Sequence, residues 1–309
     1  MLLVLVFAMV LGVVPSVAHA HDSGLVAGTG SASAASGWFG DPWIATSLGI
    51  AAFAHAVVSW ALLRRAGRAR PRHARRALLT LAGLAVAAAV LLGPLDALAD
   101  RSVALHTVQH MTLMAVAAPL IAAGAPLAAA GAVLAPAWLG GRAPPGWRGL
   151  RHAAQALRGV PMASVVQGVV MWLWHLPAMT AAALADDGVH ALMHASFLAA
   201  GVLFWAALLR SVRAAPAGFG AGALAVAATL AHMGLLGALL FFAPRPLYAE
   251  YALRVSSLGL DWRSDQQLAG IVMWVPACVP YLAGGAWLLV TWLRRIEAAA
   301  LPHEGARPG

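Results

Sequence analysis

Lysine is missing from this chain of 309 residues, and all twenty basic residues are arginine. Charged residues of either sign reach only 10%, while 61% are hydrophobic. That is too little polarity to cover a soluble domain, and with a mean hydropathy of +0.80 the solvent must be lipid. The one cysteine, Cys278, excludes an intrachain disulfide and any CxxC redox or metal motif. No HExxH occurs, which leaves an intramembrane metallohydrolase without its usual ligand pattern. No internal repeat is evident. The formal net charge of +9 does not point to nucleic acid, because the arginines stand in short runs between apolar stretches.

What is present is a series of long apolar runs. Met1 to Val17 is apolar and ends in Ala18-His19-Ala20, an A-x-A pattern, so residues 1–20 read as a signal peptide. Cleavage there would make His21 the first residue of a Gly/Ser/Ala-rich segment over 21–42, and His21 with its own α-amine would offer Cu(II) a chelate. A crossing needs about 20 apolar helical residues. Seven stretches qualify, near 43–63, 77–95, 104–134, 160–179, 190–210, 219–243 and 267–293. The third is overlong and contains Pro119 and Pro126, which predicts a kink or an added interfacial turn. The expected architecture is all-α, a seven-helix transmembrane bundle over 43–295 followed by a tail over 296–309.

Arginine fixes the expected orientation. Sixteen of the twenty lie on alternate connections and the tail, led by Arg64, Arg65, Arg68, Arg70, Arg72, Arg75 and Arg76. The other side holds only Arg101, Arg245, Arg254 and Arg263. The positive-inside rule then puts the N-terminus outside and the C-terminus in the cytoplasm of a bacterial inner-membrane protein.

With this orientation the histidines gather. His106 and His110 open the third span from outside, His190 and His194 open the fifth, and His175 closes the fourth near the same surface. Each i,i+4 pair puts two imidazoles on one helical face. Two such faces turned together supply up to four nitrogen ligands. Met111 adjoins the first pair, and Met114, Met179 and Met193 are close in sequence. Imidazole with thioether favours copper, Cu(I) above all, over the oxygen-seeking magnesium or calcium, and the histidines alone would suit zinc. The plain alternative is hydrogen-bonded packing histidines with methionines filling gaps. Ionisable groups within spans are costly, and that cost favours a functional reading. Asp265, at the mouth of the seventh helix, either complements that helix's dipole or orients an imidazole from behind.

His55, His232 and Cys278 sit deeper. His55 and His232 suit hydrogen-bonded packing, a haem clamp, or, with Cys278, an inward path if the chain were a metal transporter. A b-type haem electron carrier is disfavoured, since an i,i+4 pair cannot clamp both faces of one haem.

Several of these stretches carry a resemblance. Leu105-His106-Thr107-Val108-Gln109-His110-Met111, Gly124-Ala125-Pro126, Trp174-His175-Leu176-Pro177 and His190-Ala191-Leu192-Met193-His194 occur in order. Leu203-Phe204-Trp205, Pro246-Leu247-Tyr248 and Asp265-Gln266-Gln267-Leu268-Ala269-Gly270 with Met273-Trp274 complete the set. The chain resembles the CtaG-type cytochrome c oxidase assembly factors, polytopic bacterial membrane proteins. The resemblance implies help in delivering or inserting copper into the oxidase rather than substrate turnover. It also implies an oxidase subunit, or another copper-handling protein, as partner. One departure is that Met179-Thr180-Ala181 stands where the family often has an aromatic-acidic pair. Another is Met193, at a position often acidic there.

Overall fold

A computed structural model of the chain describes residues 42–126, 129, 159–211 and 217–300, and these contain helices and no strand. The expected signal peptide, His21, most of the connection after the third span and the end of the tail lie outside the described residues.

The helices are α1 (Pro42–Arg65), α2 (Arg70–Leu91), short α3 (Pro94–Ala99), α4 (Val103–Thr112) and α5 (Ala118–Gly124). They continue with α6 (Val160–Trp174), α7 (Pro177–Ala185), α8 (Asp187–Ser211), α9 (Ala217–Phe242), short α10 (Ala249–Arg254), α11 (Trp262–Trp274) and α12 (Cys278–Ala300). Six helical runs are long and apolar enough to cross a membrane, and a seventh forms if the bent pair α6–α7 counts as one. The bundle is therefore polytopic and all-α.

Burial ranks the spans. In the α4–α5 run, 67% of the apolar window is buried inside the protein, against 6% for α1. α4–α5 is thus the central post and α1 a peripheral helix packed on α2. Phe53, Leu224 and Phe242, each more than 70% exposed, point outward, as lipid-facing side chains do. Where helices meet, small residues let backbones approach, the usual device where lipid removes the hydrophobic drive for association. A Cβ at Gly237 of α9 would stand 2.8 Å from the Gly270 carbonyl of α11.

Prolines account for the places where the spans depart from simple rods. In the third, the disruption at Pro119 takes the form of a π-helical turn over Leu113–Ala117. Pro119 has no N–H and its ring crowds the Ala115 carbonyl, so the wider turn relieves the clash. The Met114 carbonyl accepts a hydrogen bond from the Trp205 indole at 3.0 Å, tying the turn to α8. The helix ends at Gly124, with Ala125 left-handed at φ 52°. The fourth span is not the continuous 160–179 helix expected. It breaks at His175-Leu176, and α7 leaves α6 at 73°. Pro177 forces Leu176 into extended backbone, φ −67° and ψ 130°, which ends α6. In the last run, 262–298, helix is interrupted at Pro276, where the Ala277 N–H reaches back to the Val272 carbonyl. α12 then runs to Ala300, past the boundary expected at 295.

Candidate metal centre

Two helix caps set the register of the histidines. Ser102 caps α4, its hydroxyl accepting from the Leu105 N–H. Asp186 does the same for α8 through the Val189 N–H at 2.9 Å. His106 and His190 each stand four residues after their cap, and both amides bond back to the capping residue's carbonyl. His110 and His194 follow one turn later. The two helices therefore present their pairs at matching depth.

The pairs face each other. The rings of His106 and His190 stack, 5.4 Å apart and 14° from parallel. Those of His110 and His194 meet edge-on at 5.1 Å. Within α4 the His106 and His110 rings are 4.2 Å apart, and within α8 the His190 and His194 rings are 4.5 Å apart. His106, His190 and His194 each bring a ring nitrogen to within 4.8 Å of the others'. His106 and His194 are buried and His190 is half-buried.

The cluster is short of hydrogen bonds. His106 Nε2, His110 Nε2, His190 Nε2 and both nitrogens of His194 are buried with no hydrogen-bond partner among the described residues. Buried polar atoms are nearly always paired, because an unpaired one has lost water and gained nothing. Four adjoining imidazoles, each with a buried unpaired nitrogen and three of them converging, fit a cation in a way that an apolar packing role does not.

His175 stands nearby, its ring 6.3 Å from Phe197, which also packs on His110 at 4.3 Å. The Nδ1 of His175 is 2.7 Å from the Met171 carbonyl, and its own carbonyl accepts from Tyr248 at 3.1 Å. His175 is thus a neighbour of the cluster and outside the group of three. Met111 is buried in the main apolar core, together with Met114, Met171, Met193, Met233 and Met273. Met179 packs on the edge of that core.

Asp265 lies on the first turn of α11 and is 1% exposed. Its carboxylate accepts from Ser102 Oγ, from the Val103 N–H at 2.8 Å and from the Ala104 N–H at 3.2 Å. It caps α4, a neighbouring helix, while its own helix is capped by Asp261. Its charge therefore sits on the positive end of the helix that carries His106 and His110.

The structure adds residues that the sequence reading passed over. Tyr251 Oη is 2.8 Å from His106 Nδ1. Burial first, then the nearby Asp100 carboxylate, holds the Tyr251 phenol well above its ordinary range, so it stays neutral. Gln109, fully buried, donates to the Val90 carbonyl and to Asp96, fixing α4 against the end of α2 and against α3. Rarity was the available signal for the tyrosines. Only three occur in the chain, and two of them end on His106 and His175.

The deep residues do not join the cluster. His55 Nε2 lies 3.3 Å from the Ala77 carbonyl of α2 and 3.2 Å from Ser59 Oγ. His232 lies beside Gly168 of α6. Cys278 is a buried free thiol at the start of α12. His55 and His232 thus have different neighbours, which weakens a shared inward path.

Comparison with known proteins gives one match. The family model described as cytochrome c oxidase caa3 assembly factor matches residues 51–295. No curated protein and no solved structure matches the chain.

Proposed function

Because the chain belongs to the cytochrome c oxidase caa3 assembly factor family, and so serves assembly of that oxidase in the bacterial membrane, we propose that it does so by holding copper. The ion would sit at His106, His190 and His194 on the periplasmic side and pass from there to an oxidase subunit. One observation carries this reading: three imidazole nitrogens lie within 4.8 Å of one another, and Nε2 of His106 and His190 and both nitrogens of His194 are buried with no hydrogen-bond partner among the described residues.

The donor chemistry selects among metals. An all-nitrogen pocket without a carboxylate suits copper or zinc and not magnesium or calcium. Met111 beside His110 and Met193 beside His194 in sequence tilt the choice toward Cu(I), since thioether is a soft ligand. His190, the half-buried member, gives the ion a way in and out. Tyr251 supports His106 from behind. With Nδ1–H donating to the phenol oxygen, the Nε2 lone pair is left for the metal. The haem alternative loses support, because the four rings touch directly and leave no slot between them for a macrocycle.

Metal content of the purified protein tests the reading, after loading with Cu(I) under reducing conditions and separately with Zn(II). Copper should be retained by the native chain and lost when His106, His110, His190 and His194 are all changed to alanine. Equal copper in both proteins, or none in either, ends the proposal. Copper uptake into sealed proteoliposomes should be absent, and its appearance would turn the reading to transport.

A further inference from the structure

His194 differs from the other members of the cluster. Both Nδ1 and Nε2 are buried, and neither has a hydrogen-bond partner among the described residues. A ligating imidazole normally satisfies its second nitrogen on a carboxylate, a carbonyl or water. His106 does so on Tyr251, and His175 has the Met171 carbonyl at its Nδ1. His194 has nothing equivalent, so one ion at the group of three leaves its other nitrogen idle.

A second donor stands across from it. His110 lies outside the group of three, its Nε2 is buried and unpaired, and its ring meets that of His194 at 5.1 Å and 72°. Phe197, three residues after His194 on α8, also packs on the His110 ring at 4.3 Å. The unpaired nitrogens thus exceed what one ion needs, and the surplus belongs to His110 and His194, whose rings adjoin.

Resting on the copper reading above, we propose that the cluster holds two copper ions bridged by the His194 imidazole. The first is bound by His106, His190 and one nitrogen of His194, and the second by His110 and the other nitrogen of His194. Bridging makes the ring an imidazolate, whose N–H proton passes to solvent as the second ion binds. Two Cu(I) ions with one imidazolate leave a net charge of +1 in place of +2, which eases the burial of charge away from water. Met111, next to His110 in sequence, and Met114, four residues after it, are the soft donors that α4 and the turn following it could add to the second ion's shell.

The test counts ions in the full-length protein in detergent. After saturation with Cu(I) and removal of the excess, the native chain should carry two copper ions and His110→Gln should carry one. The thermal midpoint of His110→Gln, together with its retained ion, reports that it is folded. Loading the native chain with Cu(II) gives an independent readout. A bridged pair is spin-coupled and loses most of its EPR signal, whereas a single or isolated ion shows the full signal. One copper in the native chain overturns the second ion and leaves the proposed function standing. Two coppers in both proteins would place the second ion elsewhere and overturn the proposal. No copper in the native chain removes the proposed function and the bridge together. If His110→Gln loses both ions, the EPR intensity of the native chain decides, and a full signal from each of two ions overturns the bridge.

Discussion

Tyr251 Oη and His106 Nδ1 lie 2.8 Å apart, joining a short helix outside the spans to the histidine on the central post. The contact, with the backbone hydrogen bond to Ala99, occupies one side of the His106 ring and leaves Nε2 without a partner among the described residues. Tyr251→Phe keeps the ring and removes the oxygen, so packing should survive while His106 is left with the Ala99 carbonyl as its remaining partner. Copper affinity should fall about 10- to 100-fold, the usual loss when such a support is removed. Competition with a calibrated Cu(I) chelator measures it, and an unchanged affinity would show that the phenol has no part in binding.

Asp265 accepts three hydrogen bonds from Ser102, Val103 and Ala104. Asp265→Asn keeps the shape, removes the charge at the helix terminus and can turn donors toward donors. A loss of about 1–3 kcal/mol is expected, the cost of leaving buried donors unpaired. Thermal unfolding in detergent should show it. Hydrogen exchange should quicken first at the amides of Val103 and Ala104, the local signature that separates this cap from a general loosening.

Alkaline pH should destabilise the fold. Burial pushes the phenols of Tyr248 and Tyr251 above their ordinary range. In the unfolded chain they ionise near their ordinary value of about 10. Above that pH the unfolded state releases protons that the folded state retains, so stability present below pH ~10 is lost as pH rises further. Melting curves between pH 8 and 11 should fall more steeply for the native chain than for the Tyr248→Phe/Tyr251→Phe double variant. Equal slopes would contradict the assignment.

Gly201 brings α8 against the central post. A Cβ there would stand 2.9 Å from Ala118 Cβ and 3.3 Å from Met114 Cα, and neither atom can swing aside. Gly201→Ala should cost about 1–3 kcal/mol by overpacking. It should also weaken copper binding, since the displaced helix carries His190 and His194. Loss of melting temperature with full copper affinity would mean that the cluster tolerates the shift.

Much of this was legible before any coordinates. Hydropathy located the spans because lipid demands about 20 apolar residues per crossing. The i,i+4 spacing located the histidine pairs because helix geometry fixes which residues share a face. Hydropathy could not show that α4 and α8 are neighbours, since every lipid-facing side chain looks alike whichever helix lies beside it. The break at Leu176 was signalled by Pro177, but the apolar run across it hid the change of direction. From sequence, Asp265 suits a complement to its own helix dipole or a support for an imidazole. Its actual partner is the start of α4, a contact 162 residues away in sequence that no local pattern encodes.

The π-helical turn at Leu113–Ala117 also acts as a phase adjuster. One residue of α-helix rotates the chain by roughly 100°, and a π turn takes up about that much extra. Above it, α4 aims His106 and His110 at α8, and below it α5 turns Ala118 and Ile121 into the protein. Delete a single residue within the turn and both halves can stay helical, but their faces no longer point to the same side. The histidines would then swing about a quarter turn away from His190 and His194. The chain would still insert and pack as an apolar bundle, with its imidazoles dispersed.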